Sequence, residues 1–372
     1  MQYDAAITAS ALNTTLTSNT ALSSSTVDAI STILNLSSAT ATLPVATSTG
    51  SNLSVNFDAS GQIVAPKVTF FSDLGAAGTD VTVSIPSVVA NSSAILFNTS
   101  ANVTAVIGNS AAVTTNAAVE GADATRVVVS GSGNDTITIT DNVNTFVDAG
   151  AGNDKITTAG GNDTVVLNGG NNTVSTGAGN DVIYAGNGID KIDGGAGYDV
   201  VNVSNLANYN VSVSNGSVVL NSTTSGQATL TNVQFVASVN GTETLAIVEN
   251  QSEATAIRLY EAVLGRDAEA NGTQFWVGQV QAGVSTTSIA NQFLSSAEYT
   301  AAHATPLSDA AFINSVYEGA LGRSAYTDVE GLVHWAQLLV TGQTRADVAV
   351  SIVGSVEAQN HDTGVIVVTG QV

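Results

Sequence analysis

A phrase of nine residues repeats between Ser130 and Asn202, and Asp or Asn falls on the same slot of each copy. The clearest copies read GSGND, GAGND, GGND, GAGND and GGAGYD. The slot is filled by Asp135, Asn144, Asp154, Asp163, Asn172, Asp181, Asp190 and Asp199, nine residues apart at every step except the ten from Asn144 to Asp154. Two places after each slot stands an apolar residue: Ile137, Phe146, Ile156, Val165, Val174, Ile183, Ile192 and Val201. A fixed period outranks local propensity as a constraint, because each unit must bury its apolar side against its neighbours. Nine residues are too few for a helix pair but suffice for one short strand and one tight turn. The apolar residue of each unit then faces inward and its neighbours outward. Glycines sit where the chain must turn with positive φ or approach the next layer closely. The Asn-Asp pair ends the turn and leaves a carboxylate beside main-chain carbonyls. Stacking repeats these oxygens at roughly 4.8 Å, the strand spacing. Cages of carboxylate and carbonyl oxygen suit a hard cation such as Ca²⁺. A solenoid held by turn-forming Asn and Asp without metal is the alternative, and Ser130, Ala149 and Ala159 do replace glycines of the motif. Against it stands the mutual repulsion of stacked, unpaired carboxylates.

These residues make the segment similar to the RTX, or haemolysin-type, calcium-binding repeat of proteins exported by type I secretion. In that family two nonapeptides form one turn of a parallel β-roll, with ions in two rows between repeats n and n+2. The resemblance implies several Ca²⁺ ions. It places Asp135, Asp154, Asn172 and Asp190 in one row, and Asn144, Asp163, Asp181 and Asp199 in the other. It implies donors at Gly150, Gly152, Gly160, Gly161, Gly177, Gly179, Gly186, Gly188, Gly195 and Gly197 as well. Asp163–Asp181 and Asp181–Asp199 are the best sites, with both carboxylates at unbroken spacing. Sites that use Asn144 or Asn172 lose a charge, and Asp135–Asp154 spans the extra residue.

Composition narrows the function. Thirty acidic against eight basic residues give a net charge of −22 over 372 residues, and only Lys67, Lys155 and Lys191 are lysines. No basic patch for nucleic acid can be built. Without cysteine there are no disulfides or thiolate metal sites, and His303, His334 and His361 are not spaced as a metal pair. No HExxH or GxSxG motif occurs, so nothing points to catalysis. No apolar run is long enough for a transmembrane helix. The start, MQYDAAITAS, lacks the basic and apolar regions of a secretory signal. The RTX resemblance implies instead an uncleaved C-terminal export signal.

The chain reads as mainly β with a C-terminal all-α part: a parallel β-roll or β-solenoid of nonapeptide repeats, then a small helical bundle. Residues 1–50 are Ser/Thr/Ala-rich with helical patterns near Ile7–Leu16 and Val27–Leu36, a flexible leader being the alternative. Residues 51–129 alternate in runs such as LSVNF, VTVSI, AILFN, VTAVI and RVVVS. They read as strands that extend the solenoid, or else as a separate antiparallel sandwich. The roll itself spans 130–202, and 203–250 reads as β segments that cap its open end. Residues 251–360 take helical spacing and are duplicated: LYEAVLGR at 259–266 returns as VYEGALGR at 316–323. Trp276 and Trp335, Ser296 and Ser355, and Glu298 and Glu357 are each 59 apart. This part resembles a bacterial domain of unknown function found beside RTX repeats and in surface-layer proteins. Its unit is L-Y-x-x-x-L-G-R … G-x-x-x-W … S-x-E. Gly265 should stop the first helix, Trp276 and Trp335 should begin the next ones, and Arg266 and Arg323 should pair with Glu298 and Glu357 or cap helices. DAEANG at 267–272 looks like a calcium loop, but Gly278 stands where an EF-hand needs its bidentate Glu. Residues 361–372 form an apolar tail that reads as part of the export signal, a frayed end or a last strand.

The sequence therefore points to a secreted, non-enzymatic, calcium-binding structural protein of the bacterial surface or extracellular matrix: a surface layer, sheath or biofilm component. Its main partner would be itself, as a polymer or lattice, with cell-surface polysaccharide as a second. A soluble adhesin and an accessory module of a secreted RTX hydrolase are the alternatives.

Overall fold

A computed structural model of the chain describes residues 6–18, 22–37, 41–50, 52–108 and 125–371. The chain divides into two compact units. The first holds residues up to 204 together with 208–233, and the second holds 205–207 and 234–371.

In the first unit the strands alternate between two sheets as the chain advances. One nine-stranded sheet has the order Asn210–Ser214, Ser217–Ser222, Gly226–Thr231, Gly188–Asp193, Thr173–Ser175, Lys155–Thr157, Thr136–Ile139, Asn102–Ile107 and Asp80–Ser84. The unit's other sheet runs Val200–Val203, Val182–Tyr184, Thr164–Val166, Thr145–Asp148, Arg126–Val129, Ala94–Asn98, Val68–Ser72, Val45–Thr49 and Asn52–Ser54. Among the described residues from Val68 to Val203 every pairing is parallel, so the chain winds as a roll. The strands Val45–Thr49 and Val68–Ser72 were not among the runs that alternation singled out. Asn210–Ser214 and Ser217–Ser222 form an antiparallel hairpin that pairs on to Gly226–Thr231.

Register stacks apolar residues, mostly β-branched, coil upon coil in the interior, one on each three-residue strand and more on the longer ones. Ala105, Ile137, Ile156, Val174, Ile192 and Leu230 are in register on one side. Ile95, Val128, Val147, Val165, Ile183 and Val201 are in register on the other. All are buried.

This register corrects the sequence reading at one coil. Val147, not Phe146, aligns with Val165. Phe146 belongs to the opposite face of the sheet with Val127, Val129, Ala94, Leu96, Val68 and Val45. Two helices, Ala9–Ser18 and Ser24–Ile33, cover that face through Leu12, Leu16 and Ile30. Burial on both faces explains why Arg126–Val129 and Thr145–Asp148 are buried at every position. Asp148, at the edge of this cover, accepts hydrogen bonds from Thr26 Oγ1, the Gly150 amide and Asn168 Nδ2.

In the second unit, Phe235–Ser238 and Thr244–Val248 pair antiparallel, and Val365–Val367 from the tail adds in parallel. The helices between them carry the duplicated motif, and each copy ties its motif residues into one knot. Trp276 Nε1 donates to Tyr260 Oη at 3.0 Å, and Trp335 Nε1 to Tyr317 Oη at 2.8 Å. Arg266 lies over the Tyr260 ring at 4.9 Å and pairs with Glu298 at 2.7 Å. Arg323 lies over the Tyr317 ring at 5.0 Å and pairs with Glu357. Ser296 and Ser355 cap the short helices that present those glutamates. The motif glycines allow the close approach. A Cβ on Gly272 would stand 2.1 Å from Tyr260 Oη, and one on Gly331 2.5 Å from Tyr317 Oη. Gly265 ends its helix with φ +72°. Trp276 and Trp335 sit in mid-helix, in Ala270–Gln281 and Val329–Val340, rather than at helix starts. A partly buried hydrogen bond to Tyr anchors each indole.

Candidate metal centre

The turns between the two sheets stack into two columns, one on each side of the roll. In the first column the Val103 amide donates to Asp135 Oδ1 at 2.7 Å, Asp135 to Asp154 at 2.8 Å, Asp154 to Asn172 at 2.9 Å and Asn172 to Asp190 at 3.0 Å. In the second the Thr145 amide donates to Asp163 Oδ1 at 2.8 Å, Asp163 to Asp181 at 2.7 Å and Asp181 to Asp199 at 2.9 Å. Each carboxylate thus uses one oxygen to hold the amide of the preceding coil. Beside each column runs a ladder of asparagines. Asn134 Oδ1 accepts from the Asn153 amide, and Asn144 Oδ1 from the Asn162 amide.

Asn144 therefore belongs to the asparagine ladder, and Thr145 holds its expected place in the carboxylate column. The extra residue lies between Asp135 and Thr145, in the turn opposite Asp135. Strand pairing decides this, because Val147 can face inward beside Val165 only if Thr145 is level with Asp163. The Asp135–Asp154 step consequently keeps the geometry of its neighbours, and the irregularity touches only the second column.

The other carboxylate oxygens carry the chemical signal. Oδ2 of Asp135, Asp154, Asp163 and Asp181 is buried and has no hydrogen-bond partner. The hydroxyls of Ser130, Thr158 and Thr176 lie near Asp135, Asp163 and Asp181. Each, however, gives its single proton to a carbonyl, of Ala149, Thr176 and Gly194 respectively. Orphaned buried acceptors are rare and call for a partner that can bind oxygen. Burial, the largest cause, pushes the acids up: Asp135 and Asp181 to about 6, Asp154 and Asp163 to about 7, Asp199 to about 8, and Asp190 upward as well. Repulsion between Asp163 and Asp181 adds to the effect.

Main-chain carbonyls supply the remaining oxygens. A Cβ on Gly179 would stand 1.9 Å from the Gly161 carbonyl oxygen, and one on Gly197 1.9 Å from that of Gly179. Only glycine lets these carbonyls approach the next coil. Gly150, Gly152, Gly186 and Gly188 line the first column, and Gly160, Gly161, Gly177, Gly179, Gly195 and Gly197 the second. Gly170 joins the first, where a Cβ would meet the Gly152 carbonyl oxygen at 1.8 Å. It was missed, although its spacing of eighteen from both Gly152 and Gly188 marks it. Among the described residues no three His, Asp or Glu side chains converge. An ion here would take most of its oxygens from main-chain carbonyls. Such an all-oxygen set, with buried carboxylates lacking partners, fits Ca²⁺.

Asn172 is the exception. Its Nδ2 donates to Asp190 Oδ1 at 3.0 Å, so an amide hydrogen serves that carboxylate. At the other end of the same column Val103 stands next to Asp135. Asp181, by contrast, has a carboxylate on both sides. Asp181→Ala is therefore expected to lower the calcium stoichiometry in titration calorimetry more than Asp135→Ala. Equal losses would refute the column assignment.

Residues 140–174 and 167–201 match the RTX calcium-binding nonapeptide repeat. Residues 233–302 and 290–361 match a domain of unknown function, DUF4214, once for each copy of the helical motif. No curated protein and no solved structure matches the chain.

Proposed function

We propose, from the RTX calcium-binding repeats just described, that this is an exported, non-catalytic structural protein that folds and assembles on calcium outside the cell. The orphaned Oδ2 atoms of Asp135, Asp154, Asp163 and Asp181 carry the reading. Buried carboxylates without cations oppose folding, so the roll suits a compartment rich in calcium and not one poor in it. No helix among the described residues is long and apolar enough to cross a membrane.

Self-association is supported by the second helical copy. Val329, Val333 and Val340 are 66, 59 and 83 % exposed along one helix. The first copy has Ala270, Gln274 and Gln281 at the same positions. Contact between such unlike surfaces propagates as an open polymer unless the rotation closes a ring. The net charge of −22 opposes contact until cations reduce it. Monomers are expected in chelator, and filaments or sheets in millimolar calcium, by light scattering and negative-stain microscopy. A chain that remains monomeric at high concentration in calcium would instead favour the soluble adhesin, with cell-surface polysaccharide as its ligand. Hydrolase activity would favour the accessory-module reading.

A further inference from the structure

The second carboxylate column does not begin with a carboxylate. Read in register, its residues are Arg126, Thr145, Asp163, Asp181 and Asp199. Arg126 is buried, and its guanidinium forms a two-pronged pair with Asp141 at 2.6 and 3.0 Å. It also donates to Thr145 Oγ1 at 3.0 Å. Its charge reaches the first carboxylate of the column, pulling the pKa of Asp163 down against the upward push of burial. The turn that it closes is also unlike the others. Thr140–Asn144 reads TDNVN, with no glycine, and holds the one extra residue of the repeat. A Cβ on Gly161 of the next coil would meet Asn144 Oδ1 and the Asn144 amide first, at 2.9 and 3.0 Å, and not a carbonyl oxygen as at Gly179 and Gly197. Thus a cation is present at the head of this column, but it is a side chain.

We propose that the Arg126 guanidinium takes the place of an ion at the head of the second column, so that the coil Arg126–Asp148 closes without calcium. The coils after it then fold onto a finished edge as they bind calcium. The first column has no such device. Its head is Val103, whose amide holds Asp135 but brings no positive charge. The inference rests on the calcium reading of the roll and goes beyond it by stating where metal dependence starts.

Hydrogen exchange on the full chain, in chelator and in 10 mM calcium, tests it. In chelator the strands Arg126–Val129 and Thr145–Asp148 should stay protected while Thr164–Val166 and Val182–Tyr184 lose protection. Arg126→Met should speed exchange of the first two strands in chelator about tenfold or more, and Arg126→Lys should restore most of the protection. Asp141→Asn should act in the same direction as Arg126→Met. Since Phe146 and Val127 are also covered by the N-terminal helices, the variants are the deciding arm. If Arg126→Met exchanges like the parent, or Arg126→Lys behaves like Arg126→Met, no cation is at work and the inference falls. If Thr164–Tyr184 is equally protected with and without calcium, the calcium reading itself has failed.

Discussion

Removing calcium should unfold most of residues 155–201, and restoring it should refold them. In chelator the strand signal in circular dichroism is expected to fall and the thermal transition of the roll to drop by tens of degrees or vanish. Ion binding here is folding free energy, because the columns exist only when successive coils are stacked. Extracellular calcium sites have affinities of order 10⁻⁴–10⁻³ M. At 10 mM calcium each such site stabilises the folded roll by roughly 1.4–2.7 kcal/mol. Three or more sites then supply a large share of the roughly 5–15 kcal/mol that keeps an ordinary domain folded. The C-terminal helices have no comparable carboxylate column and should keep their helical signal. A strand signal indifferent to chelator would reject calcium-driven folding.

The metal-free roll should respond to pH in the sense opposite to most acidic proteins. Its carboxylates move up on folding, from 3.8 to about 6–8. The folded state thus holds more protons than the unfolded chain across that interval. Its stability is then fully present below the unfolded value and is lost as pH rises through the folded values. In chelator the melting temperature should fall from pH 5 to pH 8. With calcium it should rise over the same interval, because protons and calcium compete for the same oxygens. Parallel pH profiles with and without calcium would show that the ions lie elsewhere.

The repeat made the architecture legible because period and strand geometry coincide. The inward residues from Ile156 onward could be read directly, since only one face of those strands is buried. The same rule failed at Phe146, and the reason is physical. The N-terminal helices bury the outer face of that coil too, so both Phe146 and Val147 are apolar and alternation no longer marks the interior. Asn144 then fits the motif by residue type, whereas Thr145 fits it by position. The helices themselves gave only faint patterns. Ala9–Ser18 and Ser24–Ile33 have no acidic residue in the first turn and no basic one in the last, and they draw their stability from packing Leu12, Leu16 and Ile30. The duplicated helical motif was legible as a repeat. Its logic shows only in the folded unit: each Arg turns back over the Tyr six residues before it at the helix end, and each Trp reaches that Tyr from the next helix.

The two-sheet winding also restricts how such a chain can change length. A coil from Asp163 to Asp181 takes eighteen residues and returns to the same sheet and column. Gaining or losing eighteen residues there would leave every later strand with an equivalent neighbour. Gaining or losing nine would move each later strand to the opposite sheet and put its aspartate on the other side of the roll. A single residue can be absorbed only in a turn, as between Asp135 and Thr145, because one added within a strand would turn its apolar side chain to solvent. The viable lengths of this segment are therefore quantised in whole coils, although its written unit is half of one.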